Sequence, residues 1–112
     1  MKEIMLHDRG IVPILANLDK LFVVKVVFSS GSHNSYYICR NIPVIRNNIN
    51  KKVWTFIERS LKSRDGEQLL EANSIQEACQ AIMDIHSRHY TLSLWEFDCE
   101  EEFKEAVQSG VF

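Results

Sequence analysis

Residues Leu21 to Phe28 read LFVVKVVF, and this stretch constrains the fold more than any other. Four valines, a leucine and two phenylalanines suit a pleated, packed surface. Period-two alternation puts Phe22, Val24, Val26 and Phe28 on one face and Leu21, Val23, Lys25 and Val27 on the other. One face is wholly apolar and the other is broken only by Lys25. That pattern predicts a central strand covered on both sides. The rest of the chain must then supply strands that pair with it and helices that cover it.

With 112 residues the chain has room for one domain and a real core. Four Gly and two Pro argue against low complexity. No apolar run approaches the roughly 20 residues of a membrane span. The opening residues, MKEIMLHDRG, lack the apolar core of a signal peptide. Cys39, Cys79 and Cys99 are odd in number and unpaired in spacing. They fit reduced thiols in a cytoplasmic protein better than a disulfide framework.

Before the central strand, Met1 to Leu6 reads as a short strand. Ile11 to Leu18 admits a short helix starting at Pro13 or an edge strand. The spacing of Ile14, Leu15 and Leu18 favours the helix. After it, Ser29 to Ser35 is a turn, and Ser35 to Arg40 is a strand that pairs back as a hairpin and stops before Pro43. Asn47 and Asn48 read as N-caps of a helix from Ile49 to Lys62, with Ile49, Val53, Phe56, Ile57 and Leu61 as its buried stripe and Trp54 beside it. A short strand passes through Leu69 and Leu70. Ser74 and Glu77 form a capping box for a helix to Arg88 that buries Ile75, Ala78, Cys79, Ile82, Ile85 and His86. Tyr90 to Phe97 alternates as a strand, with Leu92 and Leu94 opposite Trp95 and Phe97. Asp98 then caps a last helix that turns Phe103, Ala106 and Val107 inward. Gly110 sits at its C′ position with Val111 as the accompanying apolar contact. The expected class is α+β: a small antiparallel sheet of three to five strands, mixed pairing left open, with two to four helices mainly on one face.

Groups that could carry chemistry have ordinary structural readings. His86, His89 and Cys79 could form an open metal site, but no familiar ligand spacing supports it. Cys99 lies at a helix start, but three glutamates follow it directly and no base stands beside it in the sequence. Ser29, Ser30, Ser32 and His33 share a loop without the geometry of a triad. The sequence therefore points to binding rather than catalysis, with no cofactor.

Charge supplies the sharper signal. Residues 1–39 carry a net +1, residues 40–64 a net +6 and residues 65–112 a net −9. One expectation is a protein-binding inhibitor of the immunity or anti-defence type. It would neutralise a basic, nucleic-acid-acting protein through Glu96, Asp98, Glu100, Glu101, Glu102 and Glu105, with Trp95 as an aromatic anchor where its face is exposed. A second expectation is a nucleic-acid-binding module using Arg46, Lys51, Lys52, Arg59 and Lys62, with Tyr36, Tyr37 and Trp54 interleaved. A third is a subunit of a homo- or hetero-oligomer built on exposed strand edges or on Tyr36 and Tyr37. The first two rest on whether the two charged segments face the solvent or each other.

Overall fold

A computed structural model describes residues 1–31, 34–59, 69–86 and 89–112, with Arg9 described through its backbone alone. The strands are β1 (Lys2–Ile4), β2 (Leu21–Phe28), β3 (Asn34–Arg46), β4 (Ile49–Arg59), β5 (Leu70–Ala72) and β6 (Tyr90–Phe97). The helices are α1 (Ile75–Ile85) and α2 (Glu100–Gln108), with a 3-10 turn at Asp8–Gly10. All six strands join one sheet in the order β1-β6-β2-β3-β4-β5. Every pairing is antiparallel.

The central strand forms over the residues that its pattern marks out. Its two faces enter two separate cores. Phe22, Val24 and Val26 pack with Tyr37, Cys39, Trp54, Phe56 and Leu94 beneath α1, which contributes Ile75, Ala78, Cys79 and Ile82. Leu21 and Val23 pack with Tyr36, Ile38 and Phe97 beneath α2, which contributes Phe103. The helices therefore lie on opposite faces, not mainly on one. A strand apolar on both sides leaves no face to water, so each side needs its own cover. The connection from β5 through α1 to β6 crosses the first face, because β6 inserts between β1 and β2.

The largest correction concerns Ile49–Arg59, which is a strand and not a helix. Asn47 and Asn48 have φ values of 52° and 62°, so they form the two-residue turn of a hairpin and cap nothing. Asparagine tolerates this left-handed region, and two such residues in succession match the twist of paired strands. Val53, Trp54, Thr55 and Phe56 are buried in succession, which a helix with one buried stripe cannot achieve. Residues 60–62 of the expected helix lie outside the described residues. The preceding strand also runs on through Pro43 instead of stopping there. β2 reaches only to Cys39, so the outer edge of β3 is open beyond it and the missing proline N–H costs nothing.

Three smaller expectations also change. Val12 to Lys20 contains no helix. The Gln76 side chain accepts from Val12 N and donates to the Gly10 carbonyl (3.3 Å), holding this strap extended across α1. Gly10 has φ +76°, and a Cβ there would come within 2.9 Å of Met83 Cε. Ser74 caps α1 by accepting from Glu77 N (3.0 Å), but the Glu77 carboxylate accepts from Asn73 N (3.3 Å), not from Ser74. The cap of α2 is Cys99 and not Asp98. Gly110 does take a positive φ after α2, and the residue that folds back against the core is Phe112; Val111 is exposed.

Candidate functional site

The acidic end of the molecule is built by the last turn of β6 and the first turn of α2. Its carboxylates are mostly engaged within the chain. Asp98 pairs with Lys20, and that contact holds the Asp98 carboxyl below its usual range. Glu102 pairs with the amino group of Met1 and accepts from Asp98 N (3.0 Å); both hold its carboxyl low. Glu100 accepts from Arg40 Nη2 at 3.0 Å and lies 3.9 Å from Arg59 Nη2. Glu101 lies 3.9 Å from Lys104. Glu105 is exposed, and neither it nor the half-buried Glu96 has an ion-pair partner among the described residues. Trp95 is half-buried: its ring meets Phe112 edge-on and its Nε1 donates to Ser93 Oγ (2.9 Å). It lines the core under α2.

The basic and acidic segments thus meet. Arg40 on β3 and Arg59 on β4 both approach Glu100, and Arg46 pairs with Glu71 on β5 at 2.7 Å. A chain segregated by charge in sequence is interleaved by charge in space. The aromatic residues of the basic segment are equally absorbed. Tyr36 donates its hydroxyl to the Phe112 carbonyl (2.8 Å), Tyr37 bonds His86 Nε2 (2.9 Å), and Trp54 stacks edge-on against Phe22. All three are buried, so none is available for base stacking or for a subunit interface. Lys62 lies outside the described residues.

No family model, curated protein or solved structure matches this chain. The assignment of a working surface therefore rests on geometry alone.

Beyond the last contacts of β2 and β5, strands β3 and β4 continue as a two-stranded ribbon. β2 pairs no farther than Cys39, and β5 pairs only with Trp54 to Phe56. Residues 40–46 and 49–53 therefore have only each other among the described strands. At about 3.3 Å per residue the seven residues of β3 span roughly 20 Å. Every residue from Ile45 to Lys52 is exposed. Ile45 is 72% and Ile49 66% accessible. Arg46, Lys51 and Lys52 flank them, with no acid between Val44 and Lys52. Lys51 Nζ reaches Asn73 Oδ1 at 3.4 Å. Both edges are blunted against strand addition: Pro43 stands on one and Lys51 and Lys52 on the other.

The titratable groups of the core serve packing. Cys39 and Cys79 are fully buried, and burial pushes the Cys79 thiol up to about 12 and the Cys39 thiol well above its ordinary value. Thiols held this far from ionisation are poor nucleophiles. Burial, with Glu58 adding, raises Tyr37 to about 12. His86 ends α1 inside a ring of Phe28, Tyr37 and Tyr90. Among the described residues no three His, Cys, Asp or Glu side chains converge as metal ligands. Among the same residues, no helix is long and apolar enough to cross a membrane.

The sequence reading ends the preceding strand before Pro43 and places Ile49 in the buried stripe of a helix, and so misses the ribbon and the exposure of Ile45 and Ile49. The signal that would have found them is Asn47-Asn48 set between two segments rich in β-branched residues.

Proposed function

We propose that this chain is a non-catalytic protein-binding protein of the inhibitor type, and that the ribbon tip is the element it presents. The carrying observation is the unbroken exposure of Ile45 to Lys52 on a hydrogen-bonded ribbon, with two isoleucines facing water. Exposed aliphatic side chains on an ordered ribbon gain most when a concave partner desolvates them. The ribbon is already ordered by its ladder, so docking pays little additional ordering entropy. A convex, preorganised arm is the shape that occludes the cleft of a partner.

The test replaces Ile45 and Ile49 together by Asp and compares capture of partner proteins from nuclease-treated native lysate. The expected result is loss of the protein captured by the wild type. Both positions are exposed, so the unfolding free energy should move by less than about 0.5 kcal/mol per site. Capture equal to the wild type overturns the ribbon reading.

A second reading keeps the acidic end as the binding surface for a basic protein. The side chains of Asp98 and Glu101 are 74% and 76% accessible despite their ion pairs. Exposed pairs are worth about 0–1 kcal/mol, so a basic partner can displace them. Under this reading Glu101→Lys with Glu105→Lys abolishes capture and the isoleucine variant does not. The reverse pattern eliminates it.

A further inference from the structure

We infer that the ribbon enters a cleft of an acidic protein, one that is apolar at its floor and lined by Asp and Glu carboxylates on both rims. This inference rests on the ribbon reading and specifies the partner. The strand register dictates the two-sided shape. Ile45 stands opposite Asn50, and Arg46 opposite Ile49. Cross-strand partners share a face and successive residues alternate, so Ile45 and Ile49 project from opposite faces of the ribbon. Lys51 and Lys52 likewise divide between the two faces. A flat surface could cover one isoleucine and one lysine and would leave the others in water. Only a partner that encloses the tip from both sides covers all four.

The sign of the partner follows from charge complementarity. The stretch Val44 to Lys52 carries Arg46, Lys51 and Lys52 and no acid. Glu71 reaches Arg46, and the neutral Asn73 side chain reaches Lys51. A second copy meeting this one tip to tip would bring like charges together, against edges blunted by Pro43 and the lysines. A nucleic-acid groove also encloses a ribbon from two sides, but it lines both walls with phosphate and matches no more than the cations. Three cations on a chain of net charge −2 make a weak polyanion site, and two isoleucines would gain little there.

The experiment is zero-length cross-linking with a water-soluble carbodiimide, which joins a lysine amine directly to a carboxylate. Full-length protein is incubated with native lysate, cross-linked and mapped by mass spectrometry. A parallel capture compares the wild type, Lys51→Glu with Lys52→Glu, and Ile45→Asp with Ile49→Asp, with and without nuclease and at low and high salt. The expected result is cross-links from both Lys51 and Lys52 to Asp or Glu of another protein. Charge reversal should weaken capture at least about tenfold at low salt, and high salt should weaken wild-type capture and narrow that difference. Loss of capture in the isoleucine variant, with no carboxylate cross-links and no effect of charge reversal, leaves the ribbon reading standing and overturns the acidic cleft. Retention in both variants overturns the ribbon reading itself. Capture abolished by nuclease, or cross-links confined to a second copy of this chain, also overturns the inference.

Discussion

Replacing Trp54 by alanine is expected to cost about 3–5 kcal/mol of stability, the range for removing a large buried aromatic. Trp54 is 4% accessible and lies on β4 between Asn41 of β3 and Ala72 of β5. Its ring meets Phe22 edge-on with centroids 5.5 Å apart. The substitution removes that contact with the central strand and leaves a cavity beneath α1. Urea denaturation of the two proteins measures it directly, with the midpoint falling at nearly constant slope. The result also decides the secondary structure of the segment. In a helix over Ile49 to Lys62, Trp54 flanks the buried stripe and is half solvated, and the loss should stay near 1 kcal/mol. A loss that small would mean that residues 49–59 do not pair as a strand.

The elements that could be read from the sequence share one property: their pattern matches one template and no other. β2 is apolar except for Lys25 and too short for a helix with caps. α1 carries Ser74, Glu77 and a clean four-residue stripe from Ile75 to Ile82. β6 sets Tyr90, Leu92 and Leu94 on one face against Trp95 and Phe97 on the other, and α2 begins in three glutamates that favour a helix start. Ile49 to Arg59 matches two templates. Ile49, Val53, Phe56 and Ile57 fall at helical spacing, and they also belong to a strand whose two faces are both buried near the middle of the sheet. Apolar spacing alone cannot separate these cases. The discriminating evidence was local: β-branched and aromatic residues dominate, and two asparagines precede the segment without an acid three residues after either. Taking those asparagines as caps cost the ribbon as well as the strand.

The candidate surface was less legible still, because charge segregation along a chain does not fix its distribution in space. The hairpin sets Arg59 opposite Tyr36 and Arg40 opposite Thr55, on one face of the sheet, and both side chains reach Glu100 at the start of α2. The exposed cations Arg46, Lys51 and Lys52 all lie where the hairpin runs past β2 and β5, although Arg46 still reaches Glu71 and Lys51 reaches Asn73. Their exposure follows from strand length: β3 and β4 outrun β2 and β5, and no composition or periodicity argument predicts how far one hairpin outgrows its neighbours. The two faces of the sheet were legible, but the number of layers was not. Leu21, Val23 and Lys25 read as a face needing cover, and the cover proved to be α2 with Phe112.

Phe112 carries the second large effect. It is 6% accessible, and its ring lies 5.1 to 6.1 Å from those of Trp95, Phe97, Tyr36 and Phe103. Lys25 Nζ sits 4.8 Å above the ring, so the one charged residue of the central strand is accommodated by an aromatic face. The Phe112 carbonyl also accepts the Tyr36 hydroxyl, and its amide donates to the Ala106 carbonyl at 3.0 Å. Phe112→Ala removes the piece that closes the core between α2 and the sheet. A loss of about 3–5 kcal/mol is expected, since the rings around the gap are held by the sheet and cannot collapse into it. Phe112→Leu keeps most of the volume and should recover much of that loss. Val111→Ala, one residue earlier and exposed, should change stability by less than about 0.5 kcal/mol. Equilibrium unfolding followed by far-UV circular dichroism separates the three. Equal stability of Phe112→Ala and Val111→Ala would mean that α2 is held by Phe103, Ala106 and Val107 alone, and that the second core closes without the residue that now fills it.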